Sequence, residues 1–316
     1  MSVPSRSPIS SLTRIRLTPL AGALLLAWLS PNAMAAGAQQ PHYATADEAS
    51  TALMQAVKAG DPKAVDTILG PGSEALVTSG DPVVDEKARV HFVAEYEAAH
   101  KLSSINDNLI ELVLGPDLWP FPIPLVKDAK GWRFDSRQGA DEILRRRIGQ
   151  NELAAIQVVR AYVDAQREYQ QMDPAPNGAP QYAQKLMSTA GTRDGLYWST
   201  EEGQAESPLG PLFAQARGEG YSMKGKGTPY YGYFYRILKA QGAHAPGGAQ
   251  NYIVDGKMTG GFALVAYPAK YGASGVMSFI VDEDGIVYQK ALGSQTTAIA
   301  QKMTRFDPDT SWKLVQ

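Results

Sequence analysis

The residues best suited to chemistry in this 316-residue chain are four histidines, an acidic run at Asp282-Glu283-Asp284-Gly285, and a serine between small residues at Gly272-Ala273-Ser274-Gly275. His91 and His100 stand nine residues apart on what reads as one helix. At about 100° per residue they point to opposite faces and cannot share a metal ion. His42 and His244 stand alone in the sequence. A calcium loop of the EF-hand type needs glycine at its sixth position and glutamate at its twelfth. Counted from Asp282, the glycine falls fourth and the twelfth residue is Gly293, so the run reads as a polar hairpin turn. The stretch Asp173 to Asn177, with two prolines and one carboxylate, makes a poor cation cage. Ser274 is one residue short of a Gly-x-Ser-x-Gly elbow, and no Ser-x-x-Lys motif falls in a helical setting. Gly218 to Gly227 is rich in glycine and lysine but has no Gly-Lys-Ser/Thr and follows no parallel strand, so it does not read as a phosphate loop. No residue is assigned a catalytic, cofactor-binding or metal-binding role on this reading.

Three further clusters have a binding and a plain structural interpretation. Arg145-Arg146-Arg147 could meet an anionic envelope polymer; as a solvated helix face it would pair with Asp141, Glu142 and Glu152. Tyr230 to Tyr235 could stack on sugar rings, or fill a core from one side of a strand. Trp119 to Pro124 is an extended proline-aromatic strip that could dock a partner, or form an edge strand whose N–H groups proline blocks. With 32 acidic residues, a carboxylate pair of the glycosidase kind cannot be chosen, because that pairing is a distance in space.

The elements that must position these residues begin after an export signal. Arg6, Arg14 and Arg16 form a positive start, Leu17 to Leu29 an apolar run, and Ala33-Met34-Ala35 supplies small residues for cleavage between Ala35 and Ala36. The apolar run is short of the ~20 residues a spanning helix needs. No later segment is long and apolar enough to span, so no membrane span is expected once the signal is removed. Beyond residue 35 the chain carries 27 basic and 32 acidic residues, a mildly acidic balance that does not favour nucleic acid as a partner. The absence of cysteine excludes disulfides, thiol catalysis and cysteine-ligated zinc. With 44% apolar and 20% charged residues the chain can bury a core.

Residues 36–44 read as a flexible start. Thr45-Ala46-Asp47-Glu48 is a capping box opening a helix to Ala59. Asp61-Pro62 and Asp81-Pro82 each open another, the second reaching about His100. Strands follow at Leu109 to Leu114, Ile123 to Val126 and Trp132 to Phe134, the last two flanking an Asp128-Ala129-Lys130-Gly131 turn. Asp141 to Tyr169 is a long helix with a stripe of Ile148, Ala155, Val159, Tyr162 and Val163, interrupted by Glu152 and Gln166, which would leave part of it exposed. From Tyr230 the chain is β: Asn251 to Val254 and Lys257 onward around Asp255-Gly256, then Gly261 to Tyr267, Val276 to Val281 and Ile286 to Lys290, with a short helix at Ile299 to Met303. The fold class is α+β: a cone-like helix-plus-sheet domain at 45–136, then a long helix packed on an antiparallel sheet at 137–316.

Lys58-Ala59-Gly60-Asp61 and Leu125-Val126-Lys127 with Gly131-Trp132-Arg133-Phe134 resemble the cone-shaped nuclear-transport-factor-2-like fold. Gln150 to Ile156, Tyr233-Phe234-Tyr235 and Gly275 to Gly285 resemble the head of a type IV pilin or pseudopilin. Over the whole chain, Trp119 to Val126, Arg147 to Leu153, Ala161 to Tyr169, Asp194-Gly195-Leu196-Tyr197-Trp198 and Gly260 to Val265 resemble the exported bacterial domain-of-unknown-function family 2950. That resemblance implies export from a Gram-negative-type bacterium, to the periplasm or beyond, and brings no activity, cofactor or site residue with it.

The expectation is therefore an exported envelope protein, leaning to a non-enzymatic binding or assembly-assisting role with an envelope protein or glycan as partner and no cofactor. One alternative is a small-molecule binder or enzyme using a pocket in the N-terminal domain, which would be deep and apolar with a few inward polar groups. Another is an accessory component of a pilus or secretion system, which would leave an apolar face of the long helix exposed.

Overall fold

In the computed structural model, residues 39–172, 180–201, 203–222 and 227–315 are described; the expected signal segment with Ala35 and Ala36, the Asp173 to Asn177 loop and residues 223–226 lie outside them. Helix α1 (Ala46–Ala59) starts where Thr45 Oγ1 accepts from Glu48 N at 3.1 Å, and the Glu48 carboxylate reaches back to Ala44 N at 3.0 Å. Gly60 ends it at φ 64°, a conformation that costs glycine little. Asp61 caps α2 (Pro62–Leu69) through the N–H groups of Lys63 and Ala64, and Asp81 caps α4 (Pro82–Ala98) through those of Val83 and Val84. Between them sits α3 (Glu74–Val77), one turn that periodicity does not reveal.

Helix α4 stops at Ala98, so His100 opens a strand instead of closing a helix. This β1 (His100–Asn106) pairs antiparallel with β2 (Leu109–Leu114), His100 opposite Leu114. Its largely exposed, irregular pattern carries no strand signal; pairing with the apolar β2 makes it one. β3 (Trp119–Pro120) pairs with β2, and β4 (Leu125–Asp128) and β5 (Gly131–Phe134) continue the sheet in the order β1-β2-β4-β5. Leu53, Leu112, Leu114, Ile123, Leu125 and Phe134 are fully buried at the centre of this first core.

Helix α5 (Ala140–Gln171) is 32 residues long, about 48 Å at 1.5 Å per residue. Ile143 and Leu144 in its first turns pack on the first core, while Ala155, Val159, Tyr162, Val163 and Tyr169 belong to the second. The two polar residues that break its stripe are anchors, Gln166 buried and Glu152 half-buried. Glu152 accepts from Val276 N and Met277 N, both at 2.9 Å. Gln166, at 0% exposure, accepts from Ala183 N and donates to Ala183 O and Tyr162 Oη.

The second core lies against an antiparallel sheet with strand order β14-β13-β12-β11-β6. Its strands are β6 (Tyr233–Leu238), β11 (Ala263–Pro268), β12 (Met277–Asp282), β13 (Tyr288–Ala291) and β14 (Lys313–Leu314). Every residue of the interior strand β11 is buried, and α5 and α7 (Thr296–Lys302) both pack on it. Two ribbons flank the sheet: β7 (Ala240–Gln241) with β8 (Gln250–Asn251), and β9 (Ile253–Val254) with β10 (Lys257–Met258). Asp255 and Gly256 join the second ribbon at φ 49° and 77°, the two positive angles of a tight hairpin turn. A further helix, α6 (Gly210–Gly218), lies in the turn-rich stretch before the sheet, where no periodicity announces it. The whole is α+β, and among the described residues no helix is long and apolar enough to cross a membrane.

Candidate functional site: an apolar cavity at the seam of the two cores

A cavity of about 850 Å³ opens beneath α4. One wall is α1 and α2, with Leu53, Val57 and Val65; Leu76 of α3 and Val84 and Phe92 of α4 lie around it. Its floor is the proline-aromatic strip: Trp119, Phe121 and Ile123. Trp119–Pro120 forms the short edge strand β3 on β2, as one reading of the strip expects, and the residues after it turn inward. Phe121 N donates to Leu112 O at 2.7 Å, which turns the ring inward, and Phe121 packs edge-on against Phe92 at 5.5 Å and Trp119 at 6.2 Å. One face of α5, with Ile143, Arg147, Asn151 and Ala154 at helical spacing, closes the side.

The cavity is not confined to the first core. Tyr221 and Tyr231, from the second half of the chain, stand at its lip. Tyr231 has φ 50°, a strained value for a bulky residue. Its hydroxyl donates to Glu219 at 2.5 Å, and its backbone N–H to Tyr221 Oη at 3.1 Å. Asp81 holds this lip in place. Its carboxylate, at 0% exposure, accepts from Val83 N and Val84 N on one oxygen, and from Tyr221 Oη at 3.1 Å and Gly232 N at 2.7 Å on the other. Burial and the Asp81 charge push the Tyr221 phenol well above its ordinary value, so it stays a hydrogen donor.

Of the arginine run, Arg145 and Arg146 are the solvated pair expected, reaching Glu142 at 3.2 and 2.7 Å. Arg147 turns inward instead, and donates to Ala75 O at 2.7 Å and Leu76 O at 2.5 Å at the end of α3. Burial pulls its guanidinium below its ordinary value, Asp85 acting in the opposite direction. Glu152, an expected partner of the run, is occupied by β12.

The other chemically suggestive residues do not converge. His42 meets Asp128 at 3.1 Å, His91 meets Glu95 at 3.8 Å, and His244 meets Asp307 at 3.0 Å. His100 stacks on Tyr96 at 3.9 Å and bonds its carbonyl. Among the described residues no three His, Asp or Glu side chains gather as metal ligands. Ser274 is buried and ties its own turn, accepting from Lys270 N and donating to Lys270 O. Asp282 to Gly285 turn β12 toward β13, with Asp284 N donating to Asp282 Oδ1. Tyr233 fills the core and donates to Met277 O at 2.8 Å, so of the tyrosine cluster only Tyr231 reaches the cavity.

Fold and cavity together define an α+β protein whose two main cores share a long helix, with an apolar chamber walled by the first core and bordered by charged side chains and by Tyr221 and Tyr231 of a smaller third cluster. The chain belongs to the family described as protein of unknown function (DUF2950), whose model matches residues 40–315. No curated protein and no solved structure shows a significant match. The likenesses to the cone fold and to a pilin head are accordingly not confirmed by any matching structure.

Proposed function

We propose that this is an exported, non-enzymatic binding protein that takes an apolar ligand into the cavity beneath α4. The observation that carries the reading is the cavity itself. About 850 Å³ falls within the roughly 300–1,000 Å³ of ligand pockets. The cavity is walled by aliphatic and aromatic side chains, and of the helix α4 that covers it only Tyr96 is buried. Beyond its N-terminus, which Asp81 ties down, a 17-residue helix with one buried side chain can shift to admit a ligand at small cost in lost packing. The positive N-terminus, apolar run and Ala33-Met34-Ala35 support export to the periplasm or beyond. A pilus component would offer an exposed apolar face on α5, but Ala155, Val159, Tyr162 and Val163 of that face are buried and Ile148 is half-buried, while Leu153 is 66% exposed.

The test is binding of the neutral probe N-phenyl-1-naphthylamine, followed by its fluorescence. The wild-type protein is expected to bind it, and Val57→Trp, which fills the chamber from α1, to weaken binding about tenfold or more. Equal binding by the two proteins would remove the cavity as the ligand site.

A further inference from the structure

Among the cations lining the cavity, three are matched by acids: Lys87 by Glu219 at 3.3 Å, Arg89 by Glu86 at 2.6 Å and Arg146 by Glu142 at 2.7 Å. Among the described residues, Arg147 has no carboxylate within ion-pair distance. The acid that acts on it, Asp85, lies beyond that distance and accepts from Ser79 N at 2.9 and 3.2 Å. Two of the guanidinium's five N–H groups go to Ala75 O and Leu76 O, which leaves three donors in a planar fork. A half-buried cation beside apolar walls with no carboxylate in direct contact is costly, and an anion brought to it by a ligand would relieve that cost.

We propose that the natural ligand is a free single-chain carboxylate amphiphile, its head forked by Arg147 and its chain lying along Leu53, Val57 and Phe92. This rests on the cavity being the ligand site. The apolar walls of the chamber select the chain, and the unpaired Arg147 guanidinium selects the head: a planar carboxylate fits it in the bidentate geometry that an alcohol cannot supply.

The experiment displaces N-phenyl-1-naphthylamine from the purified protein at pH 8 with dodecanoate and, separately, with dodecanol. Dodecanoate is expected to displace the probe at about one-tenth the concentration of dodecanol, since a charge-assisted bond exceeds a neutral one by about that factor. Arg147→Gln is expected to lose about tenfold in the preference for dodecanoate over dodecanol, and Arg147→Lys to recover part of that preference. If the probe itself fails to bind the wild type, the cavity reading falls, and this inference with it. If the probe binds but both amphiphiles displace it equally, the cavity stands and the carboxylate head is overturned. Should Arg147→Gln not fold, the two wild-type affinities alone decide.

Discussion

Replacing Asp282 by Asn removes a carboxylate that the fold holds against its own charge. Asp282 ends β12 at 4% exposure, beside Glu283 and Asp284. Burial, then the Asp284 charge, push its pKa from 3.8 up to about 6. A raised carboxyl pKa means that the folded state binds the proton more tightly than the unfolded state. The penalty is therefore absent below the unfolded value, grows between pH 3.8 and about 6, and is complete above it. A shift of about two units at 1.36 kcal/mol each amounts to about 3 kcal/mol as an upper figure. Asn keeps an oxygen to accept from Asp284 N, the one turn bond that Asp282 Oδ1 makes there. Asp282→Asn should thus stabilise the protein by about 1–3 kcal/mol at pH 7.5, and that gain should vanish as the pH falls to about 4. Urea unfolding of both proteins at a series of pH values reads the difference directly. A gain that stays constant with pH, or that increases toward acid, would refute the reasoning.

Asp81→Ala should destabilise by about 3–5 kcal/mol, because four donors lose one buried acceptor, and should also weaken probe binding as Tyr221 and Tyr231 leave the cavity lip. Denaturant midpoint and probe fluorescence measure the two effects, and stability close to wild type would count against the assigned role. Gln166→Leu keeps the volume on α5 but leaves Ala183 N and O unpaired in the core, with an expected loss of about 2–4 kcal/mol. Thermal unfolding checks it, and a neutral result would mean that this stretch repacks.

The helix starts were legible because each capping bond closes within a few residues. Thr45 to Glu48, Asp61 to Lys63 and Ala64, and Asp255-Gly256 at the hairpin depend on chemistry that lies side by side in the chain. The long helix was legible for the same reason, since 32 residues repeat one face many times. β1, α3 and α6 were not. β1 has no alternation of its own and exists through β2, and α3 is too short to show a period. The cavity was foreseen only as a pocket of the first domain. That Tyr221 and Tyr231 form its lip follows from a contact between residues far apart in sequence.

Polar residues on α5 mark the limit most clearly. Glu152, Gln166 and Arg147 read as solvent-facing because most such side chains are. Each finds its partner at a distance no local pattern encodes: Glu152 at Val276 and Met277, Gln166 at Ala183, Arg147 at Ala75 and Leu76. Asp81 shows both halves of the division in one carboxylate. One oxygen caps α4 through Val83 and Val84, two and three residues on, and Asp-Pro was enough to announce it. The other takes Tyr221 and Gly232, 140 and 151 residues away, and joins the two cores at the cavity's edge. Local hydrogen bonding is written in neighbouring residues, whereas a buried acceptor shared across the chain is decided only when packing brings its donors together.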